Sequence, residues 1–145
     1  MGASGWDYLV PFAGSVATTL ERLRADVFAA GDYYTPRGED HPKPATEEEL
    51  WSDEWVQESM THSILDVFEV GSGDPTGFEA LGKTFEVTEA ECERIFGTPR
   101  ATPADLARGF DALEPLLTMR GVGRHVVGYA DGRPDQVLFF GYSGD

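Results

Sequence analysis

One stretch of the chain brings acid–base side chains together at a spacing that chemistry can use. In Glu58-Ser59-Met60-Thr61-His62-Ser63-Ile64-Leu65-Asp66, the residues Glu58, His62 and Asp66 stand at i, i+4 and i+8. On a continuous helix all three share a face, where a carboxylate orients an imidazole for general acid or base work, or the set binds a metal. The expected elements oppose this arrangement, because a break is expected near Thr61 with a strand after it. His62 then stands at a helix-to-strand corner, where its ring either lines a cleft or caps carbonyls at the helix end. Arg124 and His125 open the last hairpin. In a catalytic reading they hold an anionic substrate for His62, and in a structural one they form an exposed edge.

Other reaction signals are poor. His41 lies in a proline-rich loop and is expected to be solvated, and three scattered histidines without an HxH or HExxH pattern predict no zinc site. Gly71-Ser72-Gly73 lacks the nucleophile-elbow pattern, and Gly141-Tyr142-Ser143-Gly144-Asp145 leaves no room for a helix after its serine. Neither a Walker A sequence nor GxGxxG is present, so no cofactor is expected. Cys92 is the sole cysteine, which excludes a disulfide framework and fits a reducing compartment. Its neighbours Glu91 and Glu93 disfavour a thiolate, and it reads as inert.

Charge offers a second kind of site. The chain has 145 residues with 26 acidic against 11 basic, a net charge of −15 with His neutral. Such a surface repels phosphate backbones and anionic lipid headgroups, so no nucleic-acid or membrane partner is expected and a basic protein is favoured. The acids are unevenly placed. Glu47, Glu48, Glu49, Asp53, Glu54 and Glu58 fall in one stretch without a Lys or Arg, interleaved with Trp51 and Trp55. A partner-binding face of Glu47, Glu48, Trp51, Asp53, Glu54 and Trp55 would steer a cationic partner and anchor it with aromatic rings. The competing reading is a solvated helix whose tryptophans pack inward and whose charge serves solubility. Glu86, Glu89, Glu91 and Glu93 form a second acidic cluster with only Arg94 nearby.

The elements that must position these residues follow from periodicity and punctuation. Trp6 to Phe12 alternates as a first strand. Ser15 caps a helix whose stripe is Val16, Leu20, Leu23 and Val27, ending at Gly31. Residues 34–44, with Pro36, Gly38, Pro42 and Pro44, read as an exposed irregular loop. Thr46 and Glu49 make a capping box for a second helix that carries Leu50, Trp51, Trp55 and Met60. Ser63 to Val70 reads as a strand closed by Gly71 to Pro75, and Lys83 to Val87 as another. Thr88 and Glu91 cap a short helix ending at Gly97. Thr102-Pro103 with Asp105 opens a third amphipathic helix bearing Leu106, Phe110, Leu113 and Leu117, which Gly109 and Pro115 weaken. Arg124–Ala130 and Asp135–Tyr142 flank Asp131-Gly132-Arg133-Pro134 as a hairpin, apolar on both faces and therefore central in a sheet.

Gly5-Trp6-Asp7-Tyr8, Val27-Phe28 to Tyr34, Glu49-Leu50-Trp51, Thr61-His62-Ser63-Ile64-Leu65-Asp66 and the closing Phe140-Gly141-Tyr142-Ser143-Gly144-Asp145 together resemble a family of short, uncharacterised actinomycete proteins. The resemblance covers most of the chain and implies a bacterial cytosolic setting, but it carries over no activity and no functional residue. The start Met1-Gly2-Ala3-Ser4-Gly5-Trp6 lacks a basic signal-peptide region and places Trp6 where a myristoylation pattern needs Ser or Thr.

The expected fold is thus one domain over residues 1–145, a two-layer α+β arrangement with helices packed on an antiparallel sheet of about four or five strands. Two functions fit it. One is a cytoplasmic binding protein, immunity- or antitoxin-like, that occupies a basic partner. The other is a small enzyme with His62 as acid or base, Asp66 or Glu58 orienting it, and Arg124 or His125 holding an anionic substrate. The oligomeric state is left open.

Overall fold

The closing hairpin forms the middle of the sheet. Strands β4 (Gly123–Ala130) and β5 (Arg133–Ser143) pair antiparallel through a two-residue turn, with φ of 53° at Asp131 and 75° at Gly132. Positive φ at both positions matches the twist of the flanking strands, which is why an Asp-Gly pair closes them. The structure, a computed structural model, describes residues 4–143; the leader reading of Met1 to Ala3 and the Gly144-Asp145 end of the resemblance lie outside them.

Strand β1 (Ser4–Pro11) adds antiparallel to the outer edge of β5. On the other side β3 (Lys83–Glu86) pairs parallel with β4, and β2 (Glu69–Val70) parallel with β3, giving the order β1-β5-β4-β3-β2. The α+β class with five strands therefore holds. The sheet is mixed where an antiparallel one was expected, because the connections before and after β3 cross over instead of turning back as hairpins.

Helices cover both faces, one layer more than expected. Along β4 and β5, Val127, Val137 and Phe139 look one way, towards a core with Leu20, Leu23 and Val27 of α1 (Val16–Ala30), Leu50 of α2 (Glu47–Ser52) and Val56 of α3 (Glu54–Ser59). Val126, Leu138 and Phe140 look the other way, towards Cys92 of α4 (Glu89–Phe96), Leu106 of α5 (Pro103–Leu106) and Leu113 of α6 (Gly109–Leu113). This is the double burial that strands apolar on both faces require.

Helix α1 is capped as read from sequence: the Ser15 hydroxyl accepts from Thr18 N at 3.0 Å, and Gly31 ends the helix with φ 66°. Three other expectations are corrected. The second helix is two, since Asp53 leaves the helical conformation and caps α3 by accepting from Trp55 N at 3.0 Å. The third amphipathic helix is divided into α5, α6 and a 3₁₀ turn at Glu114–Leu116, with Gly109 at φ 68° and Pro115 within the turn. The expected strand Ser63–Val70 instead holds a buried 3₁₀ turn, Ile64–Asp66, and only its last two residues, β2, are strand.

Candidate functional site

Asp66 decides what the Glu58–Asp66 segment does. It is 1% exposed, and both carboxylate oxygens are committed. Oδ1 accepts from the Thr61 backbone at 2.8 Å and from the Thr61 hydroxyl at 2.7 Å, while Oδ2 accepts from the Ser143 hydroxyl. Ser143 in turn accepts from the Trp6 indole at 3.0 Å. The Thr61 and Ser63 hydroxyls lie 2.7 Å apart, and Ser63 caps the 3₁₀ turn by accepting from Leu65 N at 3.1 Å. Arg24 of α1 closes the same segment from outside: its guanidinium donates to the carbonyls of Ile64 at 3.2 Å, Leu65 at 2.9 Å and Val67, and to the Glu47 carboxylate. Carbonyls that a strand would pair in a ladder are here satisfied by one side chain, which is how a β-like sequence stays off the sheet.

The i, i+4, i+8 face is not formed. Met60 and His62 both have positive φ, 62° and 53°, so the chain reverses between Glu58 and Asp66. Glu58 is exposed on α3. The His62 ring stands edge-on to Tyr34 at 4.9 Å between centroids, and its Nε2 is buried without a hydrogen-bond partner among the described residues. With Asp66 bonded to Thr61 and Ser143, no carboxylate among the described residues orients this imidazole.

Arg124 and His125 lie inside the protein and point to opposite faces of β4. Arg124 donates to the carbonyls of Phe85 and Glu86, both at 3.2 Å, and to Glu91 at 2.6 Å. Burial pushes the Glu91 carboxyl up, but the Arg124 bond and the Thr88 capping bonds together hold it below the ordinary range. The pair ties the start of α4 to the sheet. His125 Nδ1 and the Thr84 hydroxyl are 2.9 Å apart, and the ring rests against Phe139. Burial first, and the adjacent Arg124 charge second, lower its pKa to about 4, so it is neutral at physiological pH. Neither residue presents a donor to an outside anion. Cys92 is buried, and burial with the Glu91, Glu86 and Asp105 charges raises its thiol pKa, in keeping with the inert reading.

The acidic face separates its two tryptophans. Trp51 is partly buried and packs edge-on against Phe68 at 5.2 Å, in an open groove of about 490 Å³ that Glu47, Glu48 and Gln57 also line. Trp55 is 55% exposed. It stands at a larger groove of about 870 Å³ between the proline loop and α2–α3, lined by Arg37, Lys43, Glu49, Asp53, Glu54 and Trp55 among others. Arg37 makes a two-pronged pair with Asp53, Nε to Oδ2 at 2.8 Å and Nη2 to Oδ1 at 3.0 Å, and its guanidinium carbon lies 4.2 Å from the Trp55 ring centroid. The Arg37 hydrogen bond holds the Asp53 carboxyl below the usual carboxylate range. Of the candidate partner-binding residues, Glu48, Glu54 and Trp55 face solvent, whereas Glu47 is paired with Arg24 and Asp53 with Arg37. Arg37, from the loop expected to be exposed and irregular, is thus a member of this site.

Among the described residues, no group of three or more His, Cys, Asp and Glu side chains converges as a metal site, and no helix is long and apolar enough to cross a membrane. Compared with family models, curated proteins and solved structures, the chain matches none.

Proposed function

We propose that this protein binds a basic protein partner through the acidic surface of α2 and α3, in the manner of immunity or antitoxin proteins that cover a cationic site. The observation that carries this reading is Trp55, half exposed at the mouth of the larger groove on a stretch from Glu47 to Glu58 that contains no Lys or Arg. Exposed aromatic rings beside desolvatable charges are the usual anchors of protein interfaces. The net charge of −15 steers a cationic partner and disfavours nucleic acid and anionic membrane. A bacterial cytoplasmic setting completes the reading. The geometry at His62 and Arg124 gives no support to the acid–base alternative.

The test uses a fluorescein-labelled peptide of alternating Arg, Lys and Leu, titrated with the full chain at low and at physiological salt. Binding is expected to weaken steeply with salt and to disappear when Glu48, Asp53 and Glu54 are all replaced by Lys. Unaltered binding by that triple variant overturns the proposal.

A further inference from the structure

A guanidinium already sits on the proposed binding face. Arg37 reaches it from the proline loop with its fork matched to both oxygens of Asp53 and its guanidinium carbon over the Trp55 ring, 4.2 Å from the centroid. We propose that Asp53 and Trp55 are an arginine receptor, that Arg37 is its internal occupant, and that an arginine of the basic partner displaces it. This rests on the basic-partner reading above and narrows it to partners that present arginine.

Three observations support it. Half of the receptor is organised without its occupant: Asp53 Oδ1 accepts from Trp55 N at 3.0 Å as the α3 cap, so the start of the helix holds the carboxylate beside the residue that carries the ring. It is matched to a fork rather than to a point charge. Lys43, the other Lys or Arg lining the groove, instead donates to the carbonyls of Gly31 and Tyr33 and lies over the Tyr33 ring at 4.7 Å. Two N–H···O bonds to one carboxylate, with an aromatic ring beneath the same group, select a guanidinium over an ammonium.

The occupant is also removable. The loop is held at one end by Tyr34 N bonding Thr61 O at 2.9 Å, and at the other by Lys43. Between those anchors, the hydrogen bonds among the described residues are the two of Arg37 to Asp53 and two local turns at 3.4 Å. Arg37 is exposed, flanked by Pro36 and by Gly38 at φ 85°. A loop residue that competes for the site lowers the apparent affinity of an outside arginine by the fraction of time it occupies the receptor.

The experiment is fluorescence anisotropy with two labelled peptides, (Arg-Gly)₆ and (Lys-Gly)₆, titrated with the full chain as wild type, R37Q, R37Q/D53N and R37Q/W55A. Asn caps a helix as well as Asp does, so D53N removes the carboxylate and keeps α3. R37Q is expected to bind the arginine peptide roughly threefold to tenfold more tightly than wild type and the lysine peptide much less so, with D53N or W55A abolishing the gain. If R37Q tightens both peptides equally, net charge alone is at work and the receptor is refuted. The same holds if R37Q leaves arginine-peptide affinity unchanged or lowers it. In both cases loss of wild-type binding in E48K/E54K leaves the acidic face standing. Binding of neither peptide by any variant removes both proposals.

Discussion

Asp66, at the middle of the chain, and Ser143, at the end of β5, are hydrogen-bonded to each other inside the core. The bond ties the reversal at residues 60–66 to the sheet, and the Trp6 indole extends it to β1. Asp66→Ala would leave the Thr61 amide, the Thr61 hydroxyl and the Ser143 hydroxyl without their acceptor in a site that excludes water. The expected loss is roughly 3 to 5 kcal/mol, a large share of the stability of a domain this size. Asp66→Asn keeps one acceptor oxygen and is expected to cost about 1 to 2 kcal/mol. Urea unfolding at neutral pH checks both, and equal stability of wild type and Asp66→Ala would remove the network from the list of what holds the fold.

Trp6 also limits its strand partner. A Cβ added at Gly141 would lie 2.5 Å from Trp6 Cζ2, and the indole has no room to withdraw while its Nε1 is bonded to Ser143. Gly141→Ala is therefore expected to destabilise by about 2 to 3 kcal/mol through overpacking. Gly132→Ala, with nothing within 4 Å, carries only the turn strain of φ 75° and is expected to cost less. Thermal melts of the two variants rank them, and a smaller penalty at Gly141 would contradict the packing described.

Whether a segment could be read from sequence depended on where its hydrogen bonds go. Helix α1 and the β4–β5 hairpin satisfy themselves locally through Ser15, Gly31 and Asp131-Gly132, and each of these residues announces its element. Ser63–Val70 has strand composition, yet its carbonyls are taken by Arg24, some forty residues earlier in sequence, and nothing local marks that. Asp66 within an apolar run was the one visible sign that the segment turns. The parallel pairing of β3 depends on crossovers that strand composition does not encode. At the site, the acidic stretch and Trp55 were legible because charge and aromaticity are intrinsic to the residues. The inward packing expected in the competing reading holds for Trp51, against Phe68, and not for Trp55, and the return of Arg37 was not legible, since it depends on how the proline loop meets α2 and α3.

Arg124 offers a direct contrast between a binding role and a bracing one. Its guanidinium spans the carbonyls of Phe85 and Glu86 and the Glu91 carboxylate, and a lysine ammonium cannot reach all three. Arg124→Lys is expected to destabilise by about 2 to 3 kcal/mol and to leave peptide binding at α2–α3 unchanged. Chemical denaturation together with the anisotropy assay reads both. A stable variant with altered binding would instead make Arg124 a ligand-contacting residue.

His125 makes stability depend on pH in a defined window. In the folded protein it stays neutral down to about pH 4, held there by burial and the adjacent Arg124, whereas in the unfolded chain it takes up a proton near the ordinary value of 6.5. Between those values the unfolded state binds more protons than the folded one, so stability rises with pH; on acidification it falls from about pH 6.5 and the fall ends near pH 4. The full difference corresponds to on the order of 3 kcal/mol. The carboxyl groups of Asp53 and Glu91, depressed in the fold, lose their contribution at lower pH, as pH drops through their folded values, and so add little to the upper part of the window. His125→Gln keeps polar reach towards Thr84 and carries no titrating ring. It is expected to be less stable than wild type at pH 7 and to show a clearly shallower loss between pH 6.5 and 4.5 in urea titrations. Parallel pH profiles for the two proteins would mean that His125 protonates as readily in the folded state as in the unfolded chain, and its burial against Phe139 would then have to be abandoned.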